Sequence, residues 1–356
     1  MNNPTQITET STYLPILPAP KAHPVQRSTK TKHSQAVRLV STQAMPREEW
    51  LRVRNQGIGA SDAAAAVGLN PYQSPLELWM VKTGRMAATP MPEAGEGRSP
   101  MHWGTVLEPL VAKHYSEATG RKVRRVNAVL QHQDPDKHWM LANLDYAVAK
   151  DEEVQILECK TAGEFGAKLW KEGVPDYVQC QVQHQLAVTG DQAADVAVLI
   201  CGQEFRIFRV ERDEGLIAQL IELERQFWQW VETDTPPPVD GSESALRALQ
   251  ALFPKDDGEI LDLADDDELN GTLGQLEAVR QQLKTLQAEE SRHKQTLQQA
   301  LGDASGAELA TGRISWKRSK DSITTDVARL SQDHPKLIDA YQLTRPGSRR
   351  FLVHTY

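Results

Sequence analysis

Hydrophobic and polar positions change their spacing along the chain, and each change marks an element. Up to about residue 44 the chain is rich in Pro, Thr, Ser and Lys without a sustained period, which predicts a disordered tail over 1–44. From Pro46 a pattern emerges. Glu48 and Glu49 precede Trp50, Leu51 and Val53, as acids do in the first turn of a helix. Ser61 or Asp62 can cap a short helix over 63–67, which Gly68 and Asn70-Pro71 end. Another helix is expected from Ser74-Pro75, with Leu76, Leu78, Trp79 and Val81 on or near its apolar face. After a Pro- and Gly-rich loop at 87–100, Trp103, Val106, Leu107, Leu110, Val111 and Tyr115 recur every three or four positions. They predict a helix over 101–119 that buries this set and leaves Glu108 and His114 outside it.

Strand-like runs come next, at 123–130, 139–149 and 154–161, the last two joined through 150–153 as a hairpin. A helix over 174–188, strands at 194–201 and 204–210 and a helix over 213–230 complete the pattern. This order predicts an α/β fold with a mixed sheet between helices. Three consecutive prolines at 236–238 cannot continue a helix, so the domain is expected to span 45–235 and a Pro-rich, acidic linker 236–268. Leu269, Leu276, Leu283 and Leu297 then fall on a seven-residue repeat, interrupted by Glu290. That predicts a heptad-like helix over 269–302 that packs on a partner helix or a second copy. Residues 303–356 read as a small β-containing region, with a closing strand at 349–356.

Composition narrows the function classes. No apolar run approaches the ~18–20 residues that span a bilayer, so no membrane role is expected. The N-terminus has no signal-peptide pattern. Three cysteines without a CxxC pair fit a reducing cytoplasm and disfavour an iron–sulfur nuclease. The net charge of −8 argues against a protein that coats DNA non-specifically, though not against a nuclease, whose phosphate-facing cations need only cluster locally.

The chemistry is concentrated in LANLDYAVAKDEEVQILECKTA, 141–162. On an extended strand Glu158 and Lys160 share one face while Leu157 and Cys159 take the other. Asp145, on the preceding strand, approaches the same face. Two carboxylates and an ammonium among apolar strands are costly to bury without compensation. A divalent cation supplies it, and Mg²⁺ suits one or two carboxylates, a backbone carbonyl and water. Such a metal polarises a scissile phosphate, with Lys160 placed to hold the attacking water or the developing charge. The spacing Asp–x12–Glu–x–Lys is that of the PD-(D/E)XK nuclease superfamily.

Four ordered segments carry a more specific resemblance: RNQGIGASDAAAAVGLNPYQSPLELW (54–79), WGTVLEPLVAKHY (103–115), NLDYAV with LECKTA (143–162), and YVQCQVQHQLAVTG (177–190). Together they resemble the YqaJ-like viral recombinase family, of the lambda exonuclease type. The resemblance implies a restriction-endonuclease-like core with a mixed central sheet flanked by helices, followed here by the heptad helix and a small β-containing tail. It implies a Mg²⁺-dependent exonuclease, with Mn²⁺ able to substitute, acting 5′→3′ on double-stranded DNA ends. The 3′ strand would pass to a single-strand annealing protein in phage-type recombination. By residue, Asp145 and Glu158 match the direct metal ligands, with the Cys159 backbone carbonyl beside them. Glu108 supports a metal directly or through water, and Lys160 is the catalytic lysine. Gln181 faces the site from the next helix, or Gln179 or Gln183 if the register differs. Arg54 and Ser61 match positions that grip a 5′-terminal phosphate. A homo-oligomer is expected, but the C-terminal extension leaves the ring-shaped trimer of the lambda relative open. An endonuclease on the same fold, and a catalytically inactive DNA- or protein-binding module, are the alternatives.

Overall fold

The computed structural model describes residues 36–87, 100–345, 347 and 349–353. Residues 1–35 of the expected tail and 88–99 of the Pro/Gly loop lie outside the described residues. In chain order the elements are β1 (Ala36–Ser41), α1 (Arg47–Arg54), β2 (Ile58–Gly59), α2 (Ala63–Ala66), α3 (Pro75–Lys82), α4 (Pro100–Thr119), β3 (Val123–Arg125), β4 (Ala128–His132), β5 (Met140–Ala142), β6 (Tyr146–Val148) and β7 (Ile156–Ala162). There follow α5 (Glu164–Ala167), α6 (Asp176–Thr189), β8 (Ala193–Ile200), β9 (Glu204–Glu211), α7 (Glu214–Glu232) and α8 (Glu243–Leu252). Last come α9 (Asp267–Leu301), β10 (Gly306–Leu309), β11 (Gly312–Ser315), α10 (Val327–Asp333) and α11 (Pro335–Ala340). The chain divides into two compact units, residues up to 249 and residues from 250.

The first unit is built on a five-stranded sheet of order β3-β6-β7-β8-β9. β7 and β8 run parallel and the other pairs antiparallel, so the sheet is mixed. β8 reads AADVAVLI and is buried along nearly its whole length, as a strand covered on both faces should be. On β7, Leu157 packs with Val111, Ala112 and Tyr115 of α4. Glu158 and Lys160 turn the other way and bond to α6. Strand alternation therefore separates an apolar face under α4 from a polar face under α6.

A second sheet, of order β1-β4-β5-β2, was not expected. The runs 123–130 and 139–149, read as single strands, each cross between sheets: β3 and β6 belong to the larger one, β4 and β5 to the smaller. Val126 N–H donates to Asp145 O at the crossing, 3.1 Å away. β1 lies inside the stretch predicted as disordered tail. Its order comes from pairing with β4, Ala36 opposite His132 through Ser41 opposite Ala128, and not from an apolar pattern of its own. A Cβ on Gly57 would collide with the Trp139 carbonyl, so glycine alone lets the exit of α1 lie this close to β5.

The buried face of α4 also differs from expectation. Trp103, Val106 and Leu110 are about half exposed, at 49%, 47% and 58%. The inward stripe runs through Gly104, which sits beside Thr161 of β7, then Glu108, Val111 and Tyr115. That is an i, i+4, i+7, i+11 series, as valid for a helix as the one predicted. It brings Glu108 to the sheet.

The prolines at 236–238 do not end the unit. α8 follows them within the predicted linker, and its Ser244 hydroxyl accepts from Ser74 N–H at 2.8 Å and donates to Glu77 at 2.6 Å. In the second unit, Asp266 caps α9 by accepting from Leu269 N–H at 2.9 Å. The heptad leucines Leu269, Leu283 and Leu297 stay exposed, at 49%, 51% and 40%. β10 and β11 form a hairpin within the region read as β-containing, whereas α10 and α11 were not anticipated. Residues 349–353 form no strand, and 354–356 lie outside the described residues. Among the described residues no helix is long and apolar enough to cross a membrane.

Candidate active site

Glu158 is 3% exposed, on the central strand of the larger sheet. Its Oε1 accepts from Lys160 Nζ at 2.8 Å and from Gln181 Nε2 at 2.6 Å. Lys160 also donates to Gln181 Oε1 at 2.8 Å, closing a three-member ring of bonds. Of the three glutamines left open by the sequence, α6 turns Gln181 inward. Gln179 bonds to Val174 O, and Gln183 to Glu211 O and Asp213 N–H. One turn further on, Gln185 Nε2 donates to Glu158 Oε2 at 2.8 Å. Sequence reasoning missed Gln185, although the i, i+4 relation to Gln181 carried the signal.

Asp145 sits on the link between the two sheets, where its Oδ2 accepts from Cys159 N–H at 2.9 Å. Burial and then the Glu158 charge raise its pKa well above the ordinary carboxylate value, against the pull of Lys160. Glu108 is raised too, first by burial, against the opposing Arg125 charge, and then by Glu158. Lys160 is held above its ordinary value, because Glu158 and Asp145 outweigh the burial that favours the neutral amine. Arg125 Nη2 lies 2.9 Å from Glu108 Oε1, yet that oxygen has no hydrogen bond. The contact is an ion pair without hydrogen-bond geometry, and half of the Arg125 side chain is in solvent. Three carboxylates that feel one another's charge, one with an unbonded buried oxygen, fit a hard divalent cation. Among the described residues, however, no three His, Cys, Asp or Glu side chains are gathered closely enough to hold an ion as they stand. Glu158 is turned to Lys160 and the glutamines, Glu108 to Arg125, and Asp145 to the Cys159 amide.

The second predicted pair is also assembled. Arg54, at the end of α1, donates from Nη2 to Ser61 Oγ at 2.7 Å. Its guanidinium lies 5.1 Å from the Trp50 ring centroid. Ser61 is exposed and caps nothing, whereas Asp62 Oδ2 accepts from Gly59 N–H at 3.3 Å at the start of the turn at 60–62. Two partners were not foreseen. Asp62 is paired with Arg54, and Lys82 Nζ donates to Asp62 Oδ2 at 2.7 Å and to Arg54 O at 3.0 Å. Burial tends to raise Asp62, but Arg54 and Lys82 overcome it and hold its pKa well below the usual carboxylate range. Burial lowers Lys82, with Asp62 opposing. The cluster carries one net positive charge.

The mixed sheet turns Glu158 and Lys160 of its central strand toward the glutamines of α6. The chain belongs to the YqaJ-like viral recombinase family. Residues 49–192 match the YqaJ-like viral recombinase domain. The chain is 32% identical over 320 residues to the YqaJ protein of Bacillus subtilis (strain 168), covering 88% of this chain and 96% of that one. Among solved structures, it is similar to an alkaline exonuclease (LHK-Exo) from Laribacter hongkongensis, with 24% identity and a TM-score of 0.42. That match covers 52% of this chain and 93% of the other. A phage-related exonuclease from Haemophilus somnus 129PT matches with 10% identity and a TM-score of 0.37, covering 52% of this chain and 99% of that one.

Proposed function

We propose that this chain is a divalent-metal-dependent deoxyribonuclease. It digests double-stranded DNA from its ends in the 5′→3′ direction and leaves a 3′ strand for a single-strand annealing protein. The observation that carries this reading is the buried Glu158, bound at once by Lys160, Gln181 and Gln185, with the repelled carboxylates of Asp145 and Glu108 nearby. Asp145 and Glu158 would hold Mg²⁺ or Mn²⁺, with the Cys159 carbonyl beside them and Glu108 bound directly or through water. When bound, the metal supplies polarisation of the scissile phosphate and a more acidic water. Lys160 Nζ then donates to the negative charge that grows on the phosphate oxygens, and Gln181 fixes the direction of that donation. Arg54 and Ser61 supply a guanidinium fork and a hydroxyl for a terminal phosphate, which favours end-directed cutting over internal cutting.

Digestion of linear and covalently closed DNA, with and without a 5′ phosphate, in Mg²⁺ and in chelator, tests the reading. The expected result is Mg²⁺-dependent loss of linear DNA alone, faster from phosphorylated ends. Lys160→Ala is expected to bind DNA and to cut orders of magnitude more slowly. Cutting of closed circles would replace the exonuclease with an endonuclease, and an unchanged rate in Lys160→Ala would remove the site.

A further inference from the structure

On α6, Tyr177 stands one helical turn before Gln181, whose side-chain oxygen accepts from Lys160. Tyr177 therefore lies next to Gln181 along the helix, and it packs against the buried cluster of Ala64, Val67, Cys180 and Leu220. Burial raises the Tyr177 pKa while the Lys160 ammonium pulls it down, which puts the two side chains within electrostatic reach. The Tyr177 ring is met edge to face by that of Tyr72, with centroids 6.0 Å apart and planes at 84°. Tyr72 lies in the loop between α2 and α3 and is 62% exposed.

That loop is fixed at both ends of the tyrosine. Asn70 Oδ1 accepts from the Tyr72 N–H at 2.8 Å and from the Gln73 N–H at 3.2 Å. Ser74 caps α3, accepting from Glu77 N–H at 3.1 Å, and its own N–H is taken by Ser244. On one side of the loop opens a cleft of about 420 Å³, lined by Tyr72, Gln73, Ser74, Ser244 and Arg247 among others. An aromatic ring held in a set position and left in water offers a π surface. A strand led to Lys160 presents bases that stack on such rings whatever their sequence.

We propose that Tyr72, backed by Tyr177, is a nucleobase-stacking subsite that holds one base of the strand being cut as its phosphate reaches Lys160. The proposal rests on the nuclease reading and adds to it a contact with a base, where Arg54 and Ser61 address only phosphate.

The test compares the wild-type chain with Tyr72→Ala, Tyr72→Phe and Tyr72→Trp on 5′-phosphorylated linear duplex, with Lys160→Ala as the chemical control. Substrates carry an abasic residue at the first, second or third nucleotide of the cut strand. Tyr72→Ala is expected to raise KM about tenfold, in the range of lost base–aromatic stacking. Phe and Trp are expected to keep wild-type values. At one position the abasic residue should weaken the wild-type chain to a similar extent and leave Tyr72→Ala unaffected, the mark of a coupled pair. A Tyr72→Ala variant with wild-type kinetics, or abasic penalties unchanged by that substitution, overturns the subsite. Because Tyr72 is exposed, unaltered melting of Tyr72→Ala is expected, and a KM rise shared by Phe and Trp would assign the effect to fold and overturn the proposal. A wild-type cleavage rate in Lys160→Ala contradicts the catalytic site of the nuclease reading itself, whatever Tyr72 does.

Discussion

Glu158 and Lys160 meet because side chains two apart on a strand share a face, so this part of the site was legible in the local sequence. Gln181 required the helix register, which three alternating glutamines left open. Asp62 and Lys82 were not legible, because no local period relates residues that lie twenty positions apart on different elements. Their cluster makes two predictions. Lys82→Met removes the buried ammonium that fixes Asp62, and it is expected to reduce the preference for 5′-phosphorylated over 5′-hydroxyl ends, read as a ratio of kcat/KM. The carboxyl of Asp62 is held below its unfolded value, so its stabilising effect is present above the ordinary carboxylate pKa of about 4 and is lost as pH falls through the lowered value. Melting of wild type and Asp62→Asn from pH 7 downward should show a gap that narrows below about pH 4; a gap that widens would contradict the charge assignment.

At the scale of elements, α6 positions the glutamines, and it is fastened by a pair with no exposure at all. His184 Nδ1 lies 2.7 Å from Glu224 Oε1 on α7, and its Nε2 lies 3.0 Å from Leu141 O on β5. Burial opposes the imidazolium, but Glu224 outweighs it and raises the His184 pKa. A raised histidine stabilises fully below its unfolded value of about 6.5, and that contribution is lost as pH rises through the folded value. Glu224→Gln leaves the imidazole without its counter-charge and is expected to cost about 3–5 kcal/mol near pH 6, as broken buried pairs do. The loss should shrink at alkaline pH in urea titrations, and a loss that grows with pH would refute the pairing. Most elements could be read from spacing alone. Two of the exceptions share a cause. β1 and α8 are ordered by partners more than eighty residues away, β4 and Ser74. The α4 face was misjudged because apolar residues occupy two sides of that helix, and only the sheet decides which side is covered.

For the whole molecule, a net charge of −8 accompanies a site proposed to act on a polyanion. The cations that serve it are few, and Arg54, Lys82 and Lys160 are each tied to an acid. A chain that made six to ten phosphate contacts would lose about 10³–10⁵ in affinity between 50 and 200 mM salt. This chain is expected to lose less in anisotropy measurements of duplex ends, and a loss of that full size would contradict the small set of phosphate-facing cations assigned to the site. The second unit adds an expectation of homo-oligomers, since the exposed α9 leucines suit a second copy. Light scattering of wild type and Leu283→Glu tests it: a fall in mass is expected, and an unchanged mass would refute pairing through α9.

The central claim is that Asp145, Glu158 and Glu108 gather around a divalent ion beside Lys160. An anomalous difference map from crystals grown with Mn²⁺ tests it most directly. A peak between Asp145 and Glu158, near the Cys159 carbonyl, is the predicted result. A map with no peak there, from crystals in which Mn²⁺ supports cleavage by the same protein, would contradict it.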